Sequence, residues 1–243
     1  MNKISRRKWL AGGIAVTGAS GLAVAGKLAS RYGLIPPDHS GMYGAGHALT
    51  YASQRLLTAN SFAREFPRDQ ISKAPFVTGR PLQDDAFKQL QASGFSAWRL
   101  AVDGMVAHPG SFSLSDLKSY PLNGQITHLA CEEGWSFIAE WFGVRLSRIL
   151  QESGIQPDAK YVVYTSLESG LSDSIDMADA LHPQTLITYG MNGRDLPVAH
   201  GGPIRLRLPR QLGYKSMKYL TRITVVDSLK GFVPGDYSWY AGI

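Results

Sequence analysis

One cysteine, Cys131, stands in a chain of 243 residues, so no internal disulfide can staple the fold. The structure must therefore rest on a buried apolar core. With 44% hydrophobic residues the chain is long enough to bury such a core as one domain. A lone thiol has two readings. It packs as a small buried hydrophobe, or it acts as a nucleophile or metal ligand, held as thiolate by a cation or a metal.

The formal net charge of +6 suggests a nucleic-acid partner until its distribution is considered. Residues 1–37 hold Lys3, Arg6, Arg7, Lys8, Lys27 and Arg31 and no acid, and setting those six aside leaves 19 basic against 19 acidic residues. The body is near neutral, which gives no diffuse basic surface for DNA or RNA. The excess belongs to a leader. Arg6-Arg7 precedes a stretch from Trp9 to Gly26 that is uncharged and rich in Ala, Gly and Val. A twin arginine before a weakly apolar segment addresses a protein to the Tat route, which exports folded cargo. The expected organisation is a signal or anchor segment over 1–35 and one domain over 36–243. The expected location is periplasmic, with an uncleaved N-terminal membrane anchor as the alternative. Export after folding is most useful when a cofactor must be inserted first, and an exported protein with one unpaired thiol needs a reason to keep it.

Along the body, three prolines (Pro67, Pro75, Pro81) make residues 61–85 read as extended chain wrapping a core. Short helices are expected over Ala86–Ser93, at the capped turn Ser113–Leu117, at Leu146, Ile149 and Leu150, and over Ser174–Ala180. Strands are expected over Trp98–Gly104, Ile126–Cys131, Tyr161–Thr165, Leu186–Tyr189, Pro203–Pro209 and Tyr219–Val226. Short strands mixed with short helices indicate an α+β fold, not a doubly wound sheet.

Three elements could carry chemistry. Cys131 closes a strand, and Gly134 lets the chain turn sharply after it, which would project the thiol into a cleft. After Gly201-Gly202, the period-two run Ile204–Leu208 sets Arg205 and Arg207 on one face and aliphatic residues on the other. Those arginines clamp an anion such as phosphate, or they form a solvated edge face. Gly213–Lys218 adds two ammonium groups, Lys215 and Lys218. Together the elements suggest a thiolate beside a cationic pocket for a phosphorylated cofactor. Nucleotide-binding glycine loops and zinc-ligand spacings are absent from the sequence, and no local motif pairs Cys131 with His128 or His200 as a hydrolase would.

In order, Cys131-x-x-Gly134-Trp135-Ser136, Trp141–Val144 and Tyr189–Pro197 resemble the molybdenum-binding domain of the sulfite oxidase superfamily. So do His200–Arg205 and Gly213–Ile223, and the match covers roughly residues 60–235. The resemblance implies a mixed α+β fold around one molybdenum–molybdopterin. It places Cys131 on the metal and His200 and Arg205 on pterin and phosphate contacts. Ser216, Met217 and Lys218 fall on the segment that holds the phosphate end, and Asn60 and Thr165 on further cofactor contacts. The implied chemistry is oxygen-atom transfer coupled to two-electron redox, for which a thiolate is a soft, electron-donating ligand.

Two features qualify this. Sulfite oxidases proper carry arginines soon after the cysteine, whereas Glu132-Glu133 stand here and would repel a dianion unless they point away. The Cys-x-Glu-Gly-Trp-Ser pattern is closer to the periplasmic methionine-sulfoxide reductase catalytic subunits. The sequence also has no C-x-x-C-H haem motif, so a separate partner, a membrane cytochrome b or a soluble cytochrome c, is expected to exchange the electrons. The expected substrate is a sulfoxide, sulfite or a similar oxyanion. The alternatives are a sulfite-type oxidase within the family and, in another class, a non-catalytic exported binding protein with the same fold.

Overall fold

The structure, a computed structural model, describes residues 61–168 and 170–230 with a few positions between 49 and 58. The chain divides into two units, Met1–Asn60 and Ser61–Ile243, and the second is described here. Residues 1–35, expected to be a signal or anchor segment, and Asn60 lie outside the described residues.

Two five-stranded sheets build the domain. The first runs β2 (Gly110–Ser113), β1 (Arg99–Gly104), β10 (Leu220–Val226), β5 (Tyr161–Ser166), β6 (Ser172–Asp176). Its β1–β10 pair is parallel and its other pairs antiparallel. The second runs β3 (Asn123–Ala130), β4 (Ser136–Arg145), β7 (Leu186–Met191), β8 (Arg194–Asp195), and β9 (Arg205–Arg207) also pairs with β7. Among the described residues of this unit, four short α-helices accompany the strands: α1 (Asp85–Ala92), α2 (Leu114–Ser119), α3 (Leu146–Glu152) and α4 (Met177–Ala180). The α+β expectation is met.

Local chemistry accounts for the helix starts. Asp84 accepts from Phe87 N to cap α1, and Ser113 and Asp116 form a reciprocal capping box on α2. α3 buries Leu146, Ile149 and Leu150, the spacing read from sequence.

The large core lies between the sheets. Val102, Ile223 and Val225 of the first meet Val144, Ile187 and Leu206 of the second, with Phe87 of α1 and the buried face of α3. A smaller cluster gathers Leu129, Phe137, Ala139, Trp141, Met191 and Leu196. Strand alternation explains the division: Phe137, Ala139 and Trp141 of β4 enter the small cluster, while Phe142 and Val144 pack in the large one. β9 obeys the same rule. Ile204, Leu206 and Leu208 sit in the large core, which turns Arg205 and Arg207 towards Trp141.

Three expectations need correction. Ser174–Ala180 is not one helix: β6 runs to Asp176, whose side chain then caps α4. Asp173 and Asp176 hid this strand, because they are polar yet buried. β4, ten residues long, was not foreseen because its aromatic and aliphatic residues serve both faces. The face of β9 that carries the arginines is interior and unsolvated, with Arg205 at 4% and Arg207 at 0% exposure.

Candidate functional site

A cavity of about 290 Å³ opens where the β3–β4 turn, the turn at His200 and the segment before β10 meet. Cys131, the residue after β3, lines it. The turn that presents the thiol is fixed by Cys131 N donating to Trp135 O (3.0 Å) and Gly134 N donating to Cys131 O (3.1 Å). Gly134 has φ +90°, a conformation that favours glycine.

Cys131, His200, Arg205, Ser216, Met217 and Lys218 all line this one cavity. Thr165 does not: it alternates to the far face of β5, and its carbonyl accepts from Thr221 Oγ1 at 3.1 Å. The neighbouring Ser166 faces inward and donates to Lys218 O at 2.9 Å. Of the two ammonium groups, Lys218 reaches the wall. Lys215 is buried, and its Nζ is spent on Asp173 Oδ1 (2.7 Å) and Ser174 O (2.9 Å).

The charge around the thiol is negative. Glu132 and Glu133 both line the cavity, with Oε2 atoms 3.2 and 3.7 Å from Cys131 Sγ. Burial, reinforced by these carboxylates, pushes the Cys131 thiol up to about 11. The side chains that meet its sulfur are thus acids, not cations, so a thiolate here needs positive charge from a bound group such as a metal. Among the described residues no three His, Cys, Asp or Glu side chains converge as a metal site. The remaining ligands would have to come with a cofactor.

The opposite chemistry collects around Ser216. Arg205 donates through Nη1 to His200 O (2.9 Å) and through Nη2 to Ser216 O, while its Nε has no hydrogen-bond partner. Lys218 Nζ donates to Thr78 O and Ala199 O, both at 2.7 Å, which leaves a third proton. Burial pulls both groups down, Arg205 to about 10 and Lys218 to about 8, so each is mainly charged at neutral pH. His200 is held neutral: burial first, then Arg205, Lys218 and Arg194, lower it to about 4.

Between these regions runs a row of aromatic rings not foreseen as a unit. Phe76 stacks on Trp135 (4.8 Å), Trp135 on Phe137 (6.2 Å), and Phe137 meets His200 (5.7 Å) and Trp141 (6.0 Å). Glu133 fixes the indole by accepting from Trp135 Nε1 at 2.7 Å. Phe76 gave no signal because it sits in the Pro-rich extended segment. The wall thus offers one soft ligand, an apolar ring surface and a cationic end with a free donor. This set fits a metal-carrying, phosphorylated heterocycle.

The family model described as "Oxidoreductase molybdopterin binding domain" matches residues 88–231. The chain belongs to this family. It is 37% identical over 189 residues to the "Putative protein-methionine-sulfoxide reductase subunit YedZ1" of Azospira oryzae, covering 77% of this chain and 70% of that one. It is 31% identical over 166 residues to the "Protein-methionine-sulfoxide reductase catalytic subunit MsrP" of Ralstonia nicotianae, covering 60% of this chain and 50% of that one. MsrP of Pseudomonas syringae pv. tomato is similar at 30% over 168 residues, with the same coverage. The chain thus spans about half the length of these MsrP relatives. In fold it resembles a chain of the sulfane dehydrogenase SoxCD from Paracoccus pantotrophus, with a TM-score of 0.53, 24% identity, and coverage of 55% of this chain and 39% of that one. The resemblance to the sulfite oxidase superfamily is met, and the protein is a molybdenum-type oxidoreductase.

Proposed function

We propose that this chain is the catalytic part of an exported molybdopterin enzyme that reduces a neutral sulfoxide, with a protein-bound methionine sulfoxide as the best-fitting class. The observation that carries this reading is the pair Glu132 and Glu133 on the cavity wall beside Cys131. Carboxylates there repel an anionic sulfite and tolerate an uncharged S=O group. Relatives named as methionine-sulfoxide reductases support the same direction.

Cys131 would bind the metal. His200, Arg205, Ser216, Met217 and Lys218 would hold the pterin and its phosphate end; of the further contacts the family resemblance implied, Asn60 lies outside the described residues and Thr165 does not line the cavity. When bound, the cofactor supplies oxygen-atom transfer coupled to two-electron redox. The net reaction consumes a sulfoxide, two electrons and two protons and yields a sulfide and water. Phe76 and Trp135 give the cavity wall near the thiol an apolar ring surface, and Glu133 keeps the indole in place. Lys218 and Arg205 give the anionic end a positive field inside a poorly solvated wall. Electrons would come from a separate partner, for which a membrane cytochrome b fits an exported reductase and a soluble cytochrome c is the alternative. Arg6-Arg7 supports export by the Tat route to the periplasm.

The test begins with metal and pterin analysis of full-length protein from a molybdenum-replete host. About one molybdenum per chain is expected, with loss in Cys131→Ser. Reduced viologen should then be oxidised by a methionine sulfoxide, and sulfite should not reduce cytochrome c. Folded protein without molybdenum defeats the cofactor reading, and sulfite-driven reduction reverses the direction.

A further inference from the structure

Two arginines, Arg205 on the cavity wall and Arg207 behind it, converge on one serine. Arg205 donates to the Ser216 carbonyl, and Arg207 Nη1 donates to the Ser216 hydroxyl at 3.3 Å. The same hydroxyl accepts from Leu208 N at 3.1 Å. Arg207 also reaches across to β3, where its Nη2 donates to His128 O at 2.7 Å and Thr127 Oγ1 at 3.2 Å. One guanidinium therefore ties the strand that leads to Cys131 to the serine on the cationic side of the cavity. Both guanidinium carbons lie over the ring of Trp141, at 5.2 and 5.3 Å.

The charge balance of this cluster is unusual. Arg207 is fully buried and is not part of the cavity wall. Among the described residues neither Arg205 nor Arg207 is ion-paired to a carboxylate, and the Nε of each has no hydrogen-bond partner. Of the buried acids, Asp173 is taken by Lys215, Asp179 by Arg210 and Gln211, and Asp176 caps α4. Burying one cation without a counter-charge is costly, and burying two side by side costs more, since they repel. Hydrogen bonds to carbonyls and hydroxyls, with the Trp141 ring, offset only part of this.

We infer that Arg207 is a positioning residue for the anionic end of the cofactor: it holds Ser216 in place and supplies, from behind Arg205, positive charge that a bound phosphate group compensates. The inference rests on the reading that the cavity takes molybdopterin. The cofactor-free protein then carries an unmatched buried charge pair, and the loaded protein does not. Arg207 is thus a source of binding free energy without touching the ligand, and its removal should narrow the gap in stability between loaded and cofactor-free protein.

The experiment uses the full chain in two forms, purified with molybdopterin and from a host that cannot make the pterin. Arg207→Gln keeps a donor for Ser216 and removes the charge; Arg207→Lys keeps the charge. Melting temperature is measured for both forms of each protein, together with pterin retained after extensive dialysis. In Arg207→Gln the gap between the two melting temperatures should shrink by about 5 °C and pterin affinity should fall about tenfold. Arg207→Lys should restore most of both. A merely structural arginine would lower both melting temperatures together and leave the gap intact, and that result overturns the inference. If Arg207→Gln does not fold, Arg207→Met, which is also neutral and of similar length, is read in the same way. If neither neutral variant folds, Arg207→Lys decides: a wild-type gap supports the role of charge, and a lost gap defeats it. Wild-type protein that never carries pterin removes the cofactor reading and this inference together, whereas loaded wild type beside an unaltered Arg207→Gln removes the inference alone.

Discussion

His200 shows how one side chain links the site to the stability of the fold. Its ring packs against Phe137, it is 8% exposed, and three cations add to burial in lowering it to about 4. An unfolded histidine titrates near 6.5, so between pH 6.5 and 4 the unfolded chain binds more protons than the folded one. Stability therefore falls as pH drops through that window, by on the order of 3 kcal/mol across it. Chemical denaturation of cofactor-free protein at pH 7 and pH 4.5 should show this loss. His200→Gln should remove most of it, because glutamine does not titrate. A slope unchanged in the variant would assign the acid sensitivity to other groups. At pH 7 the ring is neutral and available to hydrogen-bond a bound heterocycle.

At the scale of elements, the turn that carries His200 is held by close packing of backbone on backbone. A Cβ on Gly202 would sit 2.2 Å from Leu196 O, closer than any real contact allows. Gly202→Ala must shift either the turn or the β8 exit, at a cost of about 2–3 kcal/mol. Because the turn also supplies His200 O to Arg205, pterin content should fall with stability. Thermal melting beside pterin assay checks this, and a variant with native melting and full cofactor sinks the argument. The sequence disclosed elements in proportion to how simply each was patterned. β1, β3, β5, β7 and β10 announced themselves by β-rich runs, and α2 by its capping residues. β4 stayed hidden because Phe137 and Trp141 alternate with Phe142 and Val144, so both faces are apolar and no period-two contrast remains. Asp173 and Asp176 disguised β6, since their polarity serves an ion pair with Lys215 and a helix cap. In the site, Cys131, His200, Arg205 and Ser216–Lys218 were legible from linked motifs. Phe76 and the burial of Arg207 were not, since both depend on which segments meet in space.

Considered as a whole, the molecule concentrates charge inside an almost neutral body. β9 brings Arg205 to the cavity and the segment between β9 and β10 brings Lys218, while the β3–β4 turn brings Glu132 and Glu133. Opposite fields at two parts of one cavity suit a ligand with an anionic end and a substrate with none. With an effective dielectric near 20, a carboxylate about 8 Å from an approaching anion opposes it by about 2 kcal/mol per unit charge, before screening by salt. On the proposed reading, two carboxylates would therefore favour a neutral sulfoxide over sulfite by charge alone. The double variant Glu132→Gln, Glu133→Gln tests this directly, since glutamine at 133 can still accept from Trp135 Nε1. In the loaded enzyme the preference for methionine sulfoxide over sulfite, measured as the ratio of binding constants, should fall at least about tenfold. Sulfite inhibition of the wild type should also strengthen as ionic strength rises, because salt screens the repulsion, and this dependence should vanish in the double variant. An unchanged ratio together with salt-independent inhibition of the wild type would show that discrimination lies in shape or at the metal, and the acidic pair would lose its role as a charge filter.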